Sequence, residues 1–298
     1  MKFLKRILPL VALALPAAAS ALDLPKIVST EWLEKNAGNP ALRIVDIRKP
    51  EEYKAGHVPG SINVFYGSWA VTRNKLDNQL PEDEDLLDLV KSAGIDANTP
   101  VVIVNKVDAV PDQVNQTRVA WSLSYAGVAQ VGILDGGFNK WTADKKPVST
   151  DDVKAAPAKA EVKARKGLPV LKDEVTKKLG KGILLDTRTP DYFFGIVKVP
   201  MAAREGRLPN SVNLPSAWIF TKEGAFKPVA ELQAMAEGVV GKDTNAEIIT
   251  YCDTGRLASG WTFVLTEVLG YKNVRMYDGS TQEWTHDPAA PVVRYSWK

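Results

Sequence analysis

Cysteine and histidine are scarce in this 298-residue chain, which holds one Cys and two His. An intrachain disulfide is therefore excluded. His286 stands without the Cys or Asp/Glu spacing of a metal site, and His57 belongs to a turn motif, so no metal ligand set is assigned. Long apolar runs are missing as well. Beyond the amino end, no stretch approaches the roughly 20 apolar residues of a spanning helix. Charge of one sign is not in excess: Lys+Arg number 38 and Asp+Glu 35. Removing Lys2, Lys5 and Arg6 with the amino end leaves 35 against 35, a balance that argues against a nucleic-acid partner.

That amino end has its own pattern. Lys2, Lys5 and Arg6 precede an apolar run from Ile7 to Ala19, and Ala19-Ser20-Ala21 has the small-x-small form of a cleavage site. Residues 1–21 are read as a cleavable signal, which predicts a periplasmic or secreted mature protein with no stable membrane insertion. Pro16, the short apolar length and the absence of a cysteine near position 22 argue against an anchor.

The remainder contains an internal repeat. Ile44-Val45-Asp46-Ile47-Arg48-Lys49-Pro50 recurs as Leu184-Leu185-Asp186-Thr187-Arg188-Thr189-Pro190. Gly56-His57-Val58-Pro59-Gly60-Ser61-Ile62-Asn63 recurs as Gly206-Arg207-Leu208-Pro209-Asn210-Ser211-Val212-Asn213. Leu134-Asp135-Gly136-Gly137 with Trp141 recurs as Tyr277-Asp278-Gly279-Ser280 with Trp284. Matched landmarks in one order indicate duplicated domains, at 22–149 and 166–298. The Ala-, Lys- and Asp-rich stretch 150–165 reads as a solvated linker.

Each half alternates short apolar runs with helical periodicity. Predicted strands are Arg43–Val45, Val101–Val104 and Val131–Leu134, then Ile183–Leu185, Glu247–Tyr251 and Asn273–Tyr277. Predicted helices lie near Thr30–Asn36, Glu84–Ser92 and Thr117–Tyr125, then at Leu171–Leu179, Val229–Glu237 and Arg256–Leu269. The fold class is α/β, a mostly parallel sheet in each half with helices on both faces. The eight tryptophans are assigned to core and domain-interface packing.

The lone Cys252 follows the apolar strand Ile248-Ile249-Thr250-Tyr251 and opens the loop Asp253-Thr254-Gly255-Arg256-Leu257 before a helix. In open α/β sheets, ligands bind beyond the carboxyl ends of strands. Free N–H groups and the helix dipole at this position favour a thiolate; Arg256 adds positive charge and Asp253 opposes it. Cys252 is therefore expected to be reactive.

These residues resemble the rhodanese sulfurtransferases in their tandem two-domain form. Its amino-terminal signature is matched by Tyr53-Lys54-Ala55-Gly56-His57-Val58-Pro59-Gly60-Ser61, and its carboxy-terminal one by Val274 to Trp284, with Thr281 where an aromatic is usual. The resemblance implies a catalytic second domain and an inactive first, where the alignment places Lys106 at the cysteine position, or Asn105 if the register slips by one. It further implies a Cys252 persulfide, with sulfane sulfur taken from thiosulfate, or less readily 3-mercaptopyruvate, and handed to cyanide or a thiol, without metal or organic cofactor. Asp253, Thr254, Gly255 and Leu257 would cradle the sulfur with their N–H groups. Arg188 and Arg256 would bind the donor anion, and Arg204 and Arg207 are candidates for the rim. Arg48 and Asp186 are read as structural.

Two rivals remain. A phosphatase built on a cysteine loop needs Arg six positions after the cysteine, where this chain has Ala258. A non-catalytic exported binding module is the alternative function. A monomer is expected in either case.

Overall fold

The computed structural model describes residues 22–297, and the expected signal segment lies outside them. The first half runs β1 (Ile27–Val28), α1 (Thr30–Asn36), β2 (Arg43–Asp46), α2 (Pro50–Ala55), β3 (Ile62–Asn63), β4 (Val71–Arg73), β5 (Leu76–Gln79) and α3 (Asp83–Ser92). It closes with β6 (Val101–Val104), α4 (Val110–Tyr125), β7 (Val131–Leu134) and α5 (Gly137–Ala143). The second half runs β8 (Pro169–Val170), α6 (Lys172–Lys178), β9 (Ile183–Asp186), α7 (Pro190–Phe194), β10 (Ser211–Asn213) and α8 (Val229–Val240). It ends with β11 (Ile248–Tyr251), α9 (Ala258–Phe263), β12 (Val274–Tyr277) and α10 (Ser280–Trp284).

Two five-stranded parallel sheets result, ordered β1-β7-β6-β2-β3 and β8-β12-β11-β9-β10. The orders are the same, strand for strand. The two central strands, β6 and β11, are buried at every residue, as strands covered on both faces must be. Local chemistry sets the helix starts. Ser29 accepts from the Trp32 N–H at 3.1 Å to cap α1, and Pro50 and Pro190 open α2 and α7, where a missing N–H is harmless.

α4 packs on α9 between the two sheets. Thr117 and Ser259 share a hydroxyl hydrogen bond of 2.8 Å across that contact. Gly260 lets the chains approach: a Cβ there would lie 3.0 Å from Ile219 and 3.4 Å from Val114. Val114, Trp121, Ile219, Phe226, Trp261 and Phe263 belong to one apolar cluster that runs through both halves. The halves therefore share a core, and neither helix offers its buried face to solvent.

Several expectations are corrected here. Residues 151–165 take no regular structure and are mostly exposed, as a solvated linker should be, but they are anchored at points along the first half. Val162 is buried, Ala158 N–H donates to Lys91 O, and Arg165 N–H donates to Tyr125 O, so this segment lies along the first half. Trp218 and Trp297 are 48% and 68% exposed, so tryptophan is not confined to the core. The predicted helix Arg256–Leu269 begins at Ala258 and widens to a π-helical stretch over Val264–Val268. Finally, β4 and β5 form an antiparallel hairpin turning at Asn74 and Lys75, both at positive φ. Asn is tolerated there better than most residues, but without Gly the pair is a weak turn signal.

Candidate active site

The repeated Asp-x-Arg motif is a strand-end clamp. Asp186 accepts from Arg188 N–H at 3.0 Å and from its guanidinium at 2.6 and 2.9 Å, and Arg188 also donates to Gly206 O at 2.9 Å. Asp46 and Arg48 repeat these bonds, with Gly56 O in place of Gly206 O. The Asn that ends each second motif ties the clamp to the edge strand. Asn63 donates to Asp46 O and Arg48 O, and Asn213 to Asp186 O and Arg188 O, all at 2.8–2.9 Å.

The expectation that Arg188 binds the donor is therefore overturned. Its side chain is 3% exposed, spent on Asp186, Gly206 O and, at 3.2 Å, Asp253. Neighbouring carboxylates, Asp186 above all, outweigh burial and hold its pKa above the ordinary value. Arg207 is likewise no rim residue. It is 1% exposed, with its guanidinium 4.2 Å over Phe193, where the first half has His57 stacked 3.8 Å from Tyr53. Arg204 donates to Thr285 O, Asp287 O and Ala290 O, which fastens the carboxy-terminal segment.

Cys252 sits one residue beyond β11 and is 1% exposed. Its loop is shaped from below by Ser280, whose hydroxyl accepts from Cys252 N–H at 3.2 Å and Gly255 N–H at 3.0 Å. Gly255 has φ +75°, and a side chain there would run into Asp278. Only glycine meets both demands. The N–H groups of Thr254, Ala258 and Leu257 favour the thiolate. Burial dominates, however, and the Asp253 charge adds to it, so the thiol is pushed up to about 11 rather than lowered. The expected resting thiolate is thus a neutral thiol, because desolvation of the anion exceeds what the N–H groups return.

Asp253 turns away from the sulfur into a polar knot. Its Oδ1 accepts from Thr281 Oγ1 at 2.9 Å and from Arg188 at 3.2 Å. Burial, the largest influence, still pushes its carboxyl above the usual range. Arg256 is half-buried at the loop's outer edge, donating to Asn115 Oδ1 and Pro111 O, with its guanidinium 5.4 Å over the Tyr66 ring. Its hydrogen-bond acceptors are neutral, and its charge also acts on the neighbouring Asp112 carboxyl.

The first half closes the site. Asp77 N–H donates to Gln282 Oε1 and Gln282 Nε2 returns to Asp77 O, both at 2.9 Å. Asn78 Nδ2 donates to Thr254 Oγ1 at 3.3 Å, Gln79 to Asp278 O at 3.2 Å, and Leu80 N–H to Asp278 Oδ2 at 3.1 Å. Arg118, fully buried, pairs with Asp278 at 2.5 Å and donates to Asn78 O. Asp278 and Ser280 lie in a motif the repeat makes visible. Tyr66, Asn78 and Arg118 lie in stretches without such a signal.

The same hydrogen bonds fix which first-half residue matches the cysteine. Ile47 N–H donates to Val104 O as Thr187 N–H does to Tyr251 O, and Phe138 N–H donates to Asn105 O as Thr281 N–H does to Cys252 O. Asn105, not Lys106, stands at the cysteine position, and Lys106 instead pairs with Glu52 at 2.9 Å. A separate cavity of about 530 Å³ lies behind α4, lined by Trp121, Phe263 and Tyr271 among others and by no residue of the Cys252–Leu257 loop. Among the described residues no group of three or more His, Cys, Asp or Glu is placed to hold a metal ion.

The family model described as "Rhodanese-like domain" matches residues 29–144 and 171–287. A sulfur carrier protein, TtuD of Thermus thermophilus, is 29% identical, over 90% of this chain and 96% of its own length. A Mycolicibacterium smegmatis protein, provisionally named a thiosulfate sulfurtransferase, is 31% identical, over 89% of this chain and 96% of its own. Among solved structures, an anaerobic ergothioneine biosynthesis enzyme from Chlorobium limicola superposes with TM-score 0.78 at 22% identity, covering 90% of this chain and 70% of that one. That likeness speaks for the fold.

Proposed function

The chain belongs to the rhodanese-like family, with the domain in tandem, and as an enzyme of that family it is a sulfurtransferase; we propose that it takes the outer sulfur of thiosulfate onto Cys252 and passes it to cyanide or a thiol. The carrying observation is Cys252 at the strand end, ringed by the N–H groups of Thr254, Leu257 and Ala258. An anion on sulfur is what such a ring accommodates.

In the first step Sγ attacks the outer sulfur of thiosulfate. An Sγ–S bond forms, the donor S–S bond breaks with its electron pair going to sulfite, and the thiol proton leaves with it as hydrogen sulfite. In the second step the acceptor's lone pair bonds the outer sulfur of the persulfide. With cyanide the product is thiocyanate, and the Sγ–S pair returns to Sγ as thiolate, which regains a proton from water. The thiol's raised pKa makes proton loss the burden of the first step, and donor capture near Arg256 supports it by bringing sulfite's precursor, an anion, to the loop edge.

Arg256 favours thiosulfate through its positive charge at the loop edge, and the homologue's provisional name points the same way. Export of a monomeric mature chain beginning at Leu22 completes the reading. The test is thiocyanate formation from thiosulfate and cyanide beside Cys252→Ser, with 3-mercaptopyruvate as second donor and amino-terminal sequencing of the exported fraction. Activity lost in the variant, with one sulfur atom added to the wild-type mass, supports the reading. No activity and no added sulfur with either donor would leave the binding-module alternative standing.

A further inference from the structure

The cavity behind α4 is built by three parts of the chain. Trp121 and Ser124 come from α4 of the first domain, Phe263 and Thr266 from α9 and the π-helical stretch of the second, and residues 165–168 close it from the end of the connecting segment. Its volume of about 530 Å³ is that of a small-molecule site, and the seam between two domains is a place where such sites occur. Trp121, Phe263 and Tyr271 give it buried aromatic walls, and Tyr271 spends its hydroxyl on Gly241 O. The π-helical stretch Val264–Val268 contributes Thr266 and Glu267 to the lining, and such widened turns concentrate at functional sites.

The charge around this cavity is lopsided. Arg165, Lys166, Lys272 and Arg275 line it against a single acid, Glu267. Glu267 is already paired with Lys26 at 2.6 Å, Lys166 with Asp83, and Arg275 with Glu174. Arg165 and Lys272 make no ion pair among the described residues. The Arg165 guanidinium donates to the neutral Ser124 Oγ at 3.2 Å, and its backbone N–H holds it in place by donating to Tyr125 O at 2.7 Å. Aromatic walls beside an uncommitted guanidinium suit a flat apolar body that carries one negative charge.

We propose that this cavity is a second ligand site, separate from Cys252, and that it takes an aromatic monoanion whose rings lie against Trp121 and Phe263 and whose charge meets Arg165. None of its lining residues belongs to the Cys252–Leu257 loop, so the site stands whether or not that loop transfers sulfur. A ligand seated across the seam binds only the folded chain with its domains docked, and it therefore raises the unfolding midpoint.

The test titrates the mature chain with 8-anilinonaphthalene-1-sulfonate, a fluorescent anion of suitable size. N-phenyl-1-naphthylamine supplies the same body without the charge, and inorganic sulfate the charge without the body. One bound probe per chain is expected, with a dissociation constant on the order of 10 µM, and the uncharged amine should bind about tenfold more weakly or worse. Sulfate alone should not saturate. Arg165→Gln, at an exposed position, should weaken the probe by about 5- to 10-fold. Ser124→Trp fills the cavity from α4 and should abolish binding; Thr266→Trp does so from the opposite domain, so one of them failing to fold leaves the test intact. Urea midpoints establish which variants are folded, and the wild-type midpoint should rise with probe concentration.

Saturating thiosulfate should leave the probe bound, since its site is elsewhere. Displacement by thiosulfate, equal affinity for the uncharged amine, or affinity unmoved in a folded cavity-filling variant would each overturn the proposal. Absence of sulfur transfer would sink the sulfurtransferase reading and leave these titrations to decide this one.

Discussion

The two sheets superimpose in order and in strand-end clamp, yet the clamped arginines look out on different chemistry. In the first domain Arg48 has its guanidinium 3.8 Å over the Phe138 ring. In the second, Thr281 replaces that ring, and Arg188 and Thr281 both bind Asp253. One fold thus closes the same position either with an aromatic lid or with a polar knot. The loops differ as well: six residues, 252–257, separate β11 from α9 and include Gly255 at φ +75°, whereas five, 105–109, separate β6 from α4 and include no glycine. A cradle of N–H groups depends on the backbone curling back on itself, and a loop without that glycine does not reproduce it.

Each domain also covers the other's loop. The hairpin of the first domain reaches Asp278 through Leu80 N–H at 3.1 Å, and the second domain reaches Asp135 through Phe226 N–H at 2.8 Å. The pairing is reciprocal, but only one of the covered loops holds a nucleophile. Cys252→Ser is therefore expected to lower thiocyanate formation by about 10⁴-fold or more. Asn105→Cys in that background should restore none of it, because the loop after β6 lacks the glycine turn that shapes the cradle. Measurable turnover from the transplanted cysteine would break the comparison.

The next largest effect concerns the covering contacts. Asp278 neutralises the fully buried Arg118, whereas Asp135 is held by backbone N–H groups with burial pushing its carboxyl up. Asp278→Ala leaves Arg118 unpaired and should destabilise by about 3–5 kcal/mol. Asp135→Ala removes a neutral donor's partner and should cost about 1–3 kcal/mol. Urea midpoints at constant m-value distinguish the two, and equal losses would contradict the asymmetry.

A third difference is proton linkage, since Asn105 does not titrate and Cys252 does. The folded thiol is pushed up to about 11 from an ordinary value near 9. A raised pKa means the fold holds the proton more tightly than the unfolded chain. That stability is fully present below pH 9 and is lost as pH rises through 11. Wild type should lose up to about 2–3 kcal/mol more than Cys252→Ser between pH 8 and pH 11.5. Parallel stability curves for the two proteins would mean that the thiol is not buried as described.

The two-sheet plan was legible because repeated motifs and apolar runs report on backbone and burial, which are local or periodic. Val101–Val104 and Thr30–Asn36 match their predicted bounds for that reason. Cys252 and Gly255 were legible through their type and place in the chain. Arg188 was misread, because an arginine after a strand looks alike whether its guanidinium meets substrate or two buried carboxylates. The match to the cysteine stayed open between Lys106 and Asn105 because one-residue register is set by inter-strand hydrogen bonds, which apolar pattern alone does not fix. Tyr66, Asn78 and Arg118 left no trace since their partners lie in the other domain, far away in sequence.

The smallest expected effect tests whether Thr281 and Asp253 belong together. A carboxylate beside a sulfur anion is unfavourable unless it is turned away and paired, and Thr281 supplies one of the two donors that hold it. Replacing Thr281 by Phe removes that donor and crowds Asp253, so the single variant should lose stability. Combined with Asp253→Ala, the new ring meets an Arg188 released from its second carboxylate, the arrangement Arg48 and Phe138 already show. A double-mutant cycle should then give a favourable coupling of about 1 kcal/mol. Strict additivity would show that the polar knot and the aromatic lid are independent choices and not alternative solutions to one buried position.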